Sequence, residues 1–370
     1  MNSIKSICIL RLSAIGDVCH ALAVVQAIAA HYPHAEITWV IGRVEAALFK
    51  HVPNIRFVIF DKKLGFGAYK KLRKDLPQRF DVLLHMQVAL RANLAAACIK
   101  AKRKIGFAKH LSKELHSLVI DERAAAGPMP HVLESFAAFA HAIGVPPFKP
   151  EWSIPITVED AQWAEQLIAL HSAPSALQTA LQDSTAQHPD AKNKMAKKIL
   201  VVSPAASKAE RNWLPERYAA VMDYANQKGF VIFLTGGPSE MEQELASQII
   251  AQCKSYVINL VGKSNLTQLL ALLNKAGVVL SPDSGPAHMA TTQGVPVIGL
   301  YAHSNPARTG PYNSQAYVCE VYHTHLFAQT GKTYDAQVWG KRVKGENLMA
   351  DITVESVIKR FDQVCKDYDF

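Results

Sequence analysis

Apolar residues in this chain fall in short continuous runs, separated by segments with helical spacing. The first run, residues 7–12, is followed by Ser13, Ala14, Ile15, Gly16 and Asp17 and then by a helical pattern over 18–30. That order predicts a strand, a tight loop and a helix. Further short runs lie at 37–41, 57–60, 82–84 and 118–120, and residues 131–144 read as a helix closed by glycine. The second half repeats the logic, with runs at 199–202, 230–234, 257–259, 278–280 and 295–301. Helices are expected to start near Pro215, Ser239, Leu266 and Pro286. Strands alternating with helices predict parallel sheets with crossover helices. Continuous rather than alternating apolar strands are what a sheet covered on both faces requires.

A length of 370 residues suggests two cores rather than one. Residues 173–198 are polar, contain little large apolar surface and end in lysines, so they read as a linker with an insertion. The expected organisation is α/β, with two Rossmann-like domains facing a cleft: 1–172, the linker 173–198, and 199–352. Residues 353–370 are expected to form a helix packing back on the N-terminal domain. No short-period repeat is present, which excludes a solenoid.

Composition narrows the class. Hydrophobic residues make up 49% of the chain, ordinary for a globular protein. No apolar run approaches the ~18–20 residues that a membrane-spanning helix needs. Arg11, Asp17 and His20 interrupt the first run, unlike a signal peptide. The six cysteines are scattered without a C-x-x-C pair, which predicts free thiols in a reducing compartment and a cytoplasmic protein.

Charge is uneven. Residues 1–150 hold 21 Lys and Arg against 10 Asp and Glu, whereas the remainder holds 19 against 21. Much of the excess sits in two clusters: Lys62, Lys63, Lys70, Lys71, Arg73 and Lys74, then Lys100, Lys102, Arg103, Lys104, Lys109 and Lys113. A basic half implies a polyanionic partner, or else a solvated face.

Three second-half loops follow a strand and open a helix, where ligands of open parallel sheets bind. In Ser281-Pro282-Asp283-Ser284-Gly285-Pro286-Ala287-His288, proline sits just inside a helix start with Ser284 or Gly285 as cap. Free N–H groups and the helix dipole there suit phosphate. Asp283 is then a candidate acceptor for sugar or ribose hydroxyls, and His288 lies in the first turn. The second loop places Ser207, Lys208 and Arg211 before Trp213 and Pro215, with both cations candidates for a diphosphate. The third, 235–240, brings Glu240 either to a ribose or base or to a helix cap. In the first half, Asp17 is either a general base at a strand end or a carboxylate on a helix dipole. No G-x-G-x-x-G, P-loop, H-E-x-x-H or G-x-S-x-G motif occurs.

With these residues in hand, the sequence resembles glycosyltransferase family 9, the ADP-heptose–lipopolysaccharide heptosyltransferases. The resemblance is carried by Arg11-Leu12-Ser13-Ala14-Ile15-Gly16-Asp17-Val18, by Arg211-Asn212-Trp213-Leu214-Pro215, by Gly236-Gly237-Pro238-Ser239-Glu240 and by residues 281–288, in order along nearly the whole chain. It implies a GT-B fold in which the C-terminal domain binds the sugar nucleotide and the N-terminal domain binds the acceptor. It further implies Asp17 as catalytic base and a donor site of Ser207, Lys208, Arg211, Glu240, Asp283, Ser284, Gly285 and His288. Arg11, Gln87 and Arg91 are implied at the acceptor. Two departures stand out: arginine replaces the usual lysine at 211, and Leu214 precedes Pro215, which leaves Arg211 and Lys208 as alternative diphosphate ligands.

The expected function is inverting, metal-independent transfer of heptose from ADP-heptose to the lipopolysaccharide or lipooligosaccharide inner core. No cofactor is expected beyond the donor. The acceptor is an anionic glycolipid such as Kdo–lipid A, with peripheral contact at the inner membrane surface. A sugar-nucleotide epimerase and a non-enzymatic two-lobed binding protein are the alternatives. A nucleic-acid partner is not expected, because aromatics are only 8% and do not interleave with the cations. Arg91 and the cluster Lys100, Lys102, Arg103 and Lys104 are expected to attract the acceptor.

Overall fold

The computed structural model describes residues 4–113, 115–172 and 198–370. The linker expected at 173–198 lies, except for Lys198, outside the described residues. The chain divides into two compact units, one running to Pro155 with Gln337–Trp339 added, the other holding Ile156–Ala336 and Gly340–Phe370.

The first unit is a parallel sheet of β1 (Ser6–Leu10), β2 (Glu36–Gly42), β3 (Ile55–Phe60), β4 (Arg79–His85), β5 (Lys100–Gly106) and β6 (Glu122–Arg123), in spatial order β3-β2-β1-β4-β5-β6. Ile7, Cys8, Ile9 and Leu10 are fully buried, because crossover helices cover both faces. The expected strand at 118–120 is instead a 3-10 turn, His116–Leu118, followed by the two-residue β6. A short apolar run does not by itself separate the two outcomes.

The second unit contains β7 (Ile199–Val202), β8 (Val231–Leu234), β9 (Ile258–Asn259), β10 (Val278–Pro282), β11 (Val297–Tyr301) and β12 (Cys319–Glu320), in order β12-β11-β10-β7-β8-β9. Numbered within its own unit, this is the same doubly wound order as the first sheet. In each unit the order reverses beside the first strand, between β1 and β4 and between β7 and β10. Crevices for ligands open at such reversals, outside the carboxyl ends of the strands.

Two expected boundaries move. Helix Val158–Ser172 belongs to the second unit, where Lys275 pairs with Glu165 at 2.8 Å. The C-terminal helix Val354–Asp367, expected to pack back on the N-terminal domain, likewise belongs to the second unit. Its Val357, Phe361 and Val364, spaced along one face, are fully buried in that core. The Phe361 ring meets Phe230 edge-on at 5.0 Å, and Tyr224 donates to Asp362 at 2.9 Å. Burying each such side chain stabilises by about 1.5–3 kcal/mol, so the apolar stripe decides where the helix lies.

Candidate active site

At the reversal point of the first sheet, the chain leaves β1 through Arg11, Leu12, Ser13 and Ala14 into α1 (Ile15–His31). The residues after β4 hold this turn. Arg11 donates to the Met86 carbonyl at 2.7 Å, and the Leu12 N–H donates to Gln87 Oε1 at 2.7 Å. Gly42 lies against the same turn, where an added Cβ would come within 2.5 Å of the Leu12 carbonyl oxygen. Beneath it, His85 and His116 share Asn93 Oδ1 at 2.8 and 3.1 Å. The Phe107 N–H donates to His116 Nε2, so the His116 proton sits on Nδ1 toward Asn93. Burial lowers the pKa of His85 to about 3 and that of His116 to about 4, which keeps both imidazoles neutral.

Asp17 is the third residue of α1, and its side chain is 34% exposed. Its Oδ2 accepts the Ala14 N–H at 3.4 Å and pairs with the Arg11 guanidinium. Among the described residues Oδ1 has no hydrogen-bond partner. Both readings of Asp17 therefore have a physical basis: one oxygen caps the helix, and the other faces outward as an acceptor.

Of the three residues assigned to the acceptor, two are engaged inside the unit. Arg11 is largely buried, paired to Asp17 and lying over the Phe136 ring at 5.2 Å. Gln87 holds the turn. Only Arg91, near the start of helix Leu90–Cys98, presents its side chain to solvent without an ion pair among the described residues.

The cluster at 100–104 is partly paired within its own unit. It forms β5, where Lys102 pairs with Asp81 at 2.7 Å and Arg103 takes Glu122 in a fork at 2.6 and 2.7 Å, whereas Lys100 is exposed without an ion pair among the described residues. Lys104 Nζ donates to the Ala96 carbonyl at 3.0 Å. The Lys102 hydrogen bond, with the Lys5 N–H, pulls the pKa of Asp81 down to about 2. Lys102→Met should thus leave acceptor KM unchanged and lower stability by no more than about 1 kcal/mol, the range of exposed pairs. Steady-state kinetics and urea denaturation check this; a several-fold rise in acceptor KM would place Lys102 at the acceptor.

In the second unit, the residues at the reversal point are hydrogen-bonded across it. Ser203 N–H donates to the Leu280 carbonyl at 3.0 Å, and Ser281 Oγ donates to the Ser203 carbonyl at 3.1 Å. Ser284 is the N-cap of helix Gly285–Thr292, but its hydroxyl lies 2.8 Å from Ser281 Oγ and caps no helical N–H. Ser284 thus leaves the first turn uncapped by its side chain, a condition that suits an anion.

Asp283 is 13% exposed. It accepts from Ser304 Oγ at 2.6 Å, with Arg211 NH1 3.9 Å and His288 Nε2 4.0 Å away. Burial pushes its carboxyl up, but His288, Ser304 and Arg211 together hold it below the usual range. Arg211 is 11% exposed, and its Nε is buried without a hydrogen-bond partner among the described residues. A buried guanidinium with unfilled donors beside an open helix start is arranged to receive an anion.

The loop carrying Arg211 is pinned from behind. Asn212 accepts the Ala206 N–H at 2.8 Å, and buried Trp213 donates to the Ile352 carbonyl at 3.0 Å. Leu214 takes the extended conformation that a residue before proline prefers, and Pro215 opens the next helix. Lys208 instead is 60% exposed and 3.6 Å from Glu210, and Ser207 is exposed. Of the two cations, the structure brings Arg211 to Asp283, His288 and the helix start. Glu240 is exposed on the first turn of helix Glu240–Gln252, whose cap is Ser239; Ser239 Oγ also donates to Glu242 at 2.8 Å.

The sequence reading missed the loop after β11. His303 donates from Nδ1 to the Val343 carbonyl at 3.2 Å, and its Nε2 is buried without a hydrogen-bond partner among the described residues. Ser304 holds Asp283, and Asn305 Oδ1 caps helix Pro306–Thr309. Its place at a strand's carboxyl end was the available signal.

A family model described as glycosyltransferase family 9 (heptosyltransferase) matches residues 69–337. Lipopolysaccharide core heptosyltransferase OpsX of Haemophilus influenzae is 44% identical over 355 residues, covering 96% of this chain and 95% of that protein. The chain belongs to glycosyltransferase family 9. Solved family structures share its fold. A family 9 glycosyl transferase from Veillonella parvula superposes with a TM-score of 0.77 at 22% identity over 99% of both chains. The Escherichia coli heptosyltransferase WaaC, solved with ADP, gives 0.71 at 18% identity over 97% of this chain and 100% of its own. The two doubly wound sheets are thus the GT-B fold of the heptosyltransferases, and family membership leaves the epimerase and the non-enzymatic binding protein unsupported.

Proposed function

We propose that this family 9 glycosyltransferase moves heptose from ADP-heptose to the lipopolysaccharide core, inverting the anomeric centre and needing no bound metal. The H. influenzae relative supplies the acceptor class by name, and the WaaC structure holds ADP. The observation that carries the reading is Arg211, a buried guanidinium with unfilled donors at an uncapped helix start.

In this reaction the acceptor hydroxyl gives its proton to Asp17 Oδ1 as its oxygen bonds to the anomeric carbon. The bond from that carbon to the diphosphate oxygen breaks, and ADP leaves with the electron pair. Arg211 and the N–H groups at Gly285 and Ala287 stabilise the charge growing on the diphosphate. Asp283, anchored by Ser304, accepts from a donor hydroxyl, and Glu240 is exposed to contact ribose or base. Because the acceptor is a glycolipid, the enzyme works in peripheral contact with the cytoplasmic face of the inner membrane.

The test is turnover with ADP-heptose and a Kdo–lipid A acceptor, following ADP release and the configuration of the new linkage by NMR. Inversion, acceptor-dependent ADP release and full activity in EDTA are expected. Retention, ADP release without acceptor, or inactivation by EDTA would each overturn the corresponding part.

A further inference from the structure

Away from both strand-end sites, residues 61–75 of the first unit combine an apolar tip with unneutralised cations. The 3-10 turn Lys62–Leu64 is capped by Asp61, which accepts the Lys63 N–H at 3.0 Å and holds Arg43 at 2.7 Å. Gly65 then reverses the chain at φ +53, with nothing within 4 Å of where a Cβ would stand. Phe66 follows, 89% exposed, beside Leu64 at 50%. The tip is an ordered one. Ala68 N–H donates to the Gly65 carbonyl at 3.2 Å, and Tyr69 N–H donates to the Phe66 carbonyl at 3.2 Å.

Helix Gly67–Asp75 buries Ala68 and Leu72 and turns Lys70, Lys71, Arg73 and Lys74 outward. Lys71 pairs with Asp75 at 2.6 Å. Lys62, Lys63, Lys70, Arg73 and Lys74 make no ion pair among the described residues. The local acids Asp61 and Asp75 are each taken by one cation, and Glu45 lies near Lys62, so cations outnumber acids on the surface of residues 61–75.

The Phe66 ring touches only the edge of the fold, with its centroid 6.4 Å from that of Tyr69, and stands exposed on a segment rich in lysine. That combination matches an anionic lipid–water interface, where an apolar ring enters the acyl boundary and lysines meet the phosphates. We propose that Leu64 and Phe66, with Lys62, Lys63, Lys70 and Lys74, dock the first unit on an anionic phospholipid surface. The proposal rests on the glycolipid-acceptor reading above and names the surface that makes the membrane contact.

Flotation of the full chain with phosphatidylethanolamine–phosphatidylglycerol vesicles, against phosphatidylcholine vesicles, tests it. Phe66→Ser should weaken binding to the anionic vesicles about tenfold or more, the effect of keeping one large ring out of an apolar phase. Phe66→Trp should retain binding and shift its emission to the blue. Reversing Lys63 and Lys70 to glutamate should weaken binding by on the order of tenfold or more, and salt should weaken the parent protein likewise. Transfer to a delipidated, water-soluble acceptor should be unchanged in Phe66→Ser. Wild-type vesicle binding by Phe66→Ser, or equal binding to phosphatidylcholine, would overturn the docking. So would a dimer in solution that Phe66→Ser converts to monomer without loss of vesicle binding. Phe66-dependent vesicle binding in a protein that transfers heptose to no acceptor would sustain the docking and sink the enzymatic reading.

Discussion

Asp17→Asn should lower kcat by about 10²–10⁴, the range for loss of a positioned general base, with donor affinity unchanged. The expectation follows from how the carboxylate is held. Arg11 and the Ala14 N–H both take Oδ2, which leaves Oδ1 as the atom able to accept a proton. Asparagine keeps a capping oxygen and the volume but cannot act as a base. Its rate loss therefore separates the chemical role from the structural one, and a thermal melt on the same sample checks the fold. Arg11→Lys should give a smaller loss, since it disturbs the orientation of the base and not its identity. Near-normal turnover by Asp17→Asn would reduce Asp17 to a helix cap.

Arg211→Ala should cost about 10²–10³ in kcat/KM, comparable to removing one preorganised donor from a developing oxyanion. Lys208→Ala should change little. The contrast comes from position: Arg211 is 11% exposed beside Asp283, whereas Lys208 is 60% exposed and next to Glu210. Arg211→Lys should recover part of the loss, because a point charge replaces a fork that grips two phosphate oxygens. Isothermal titration with ADP in parallel with kinetics divides the effect between binding and turnover. A larger effect from Lys208 would reverse the assignment.

Much of this molecule was legible in its apolar runs. Continuous strands such as 7–12 and 278–280 announce sheets covered on both faces, and Pro215 and Pro286 mark helix starts within one residue of where they lie. These signals are local, so one sequence suffices to read them. β5 escaped because its apolar content is low: Lys100, Lys102, Arg103 and Lys104 read as a free basic cluster. Only pairing with β4 and β6 brings Asp81 and Glu122 alongside, from positions 21 and 19 residues away in the chain. The same holds for the sites. Sequence alone determined which loops follow strands, and hence that Asp17, Arg211 and Asp283 lie at strand ends. It left open which cation is buried, which Asp17 oxygen is engaged, that Ser304 holds Asp283, and that helix Val354–Asp367 packs on the second unit. Those outcomes depend on contacts between segments far apart in the chain, where burial and hydrogen-bond geometry choose among side chains that composition leaves equivalent.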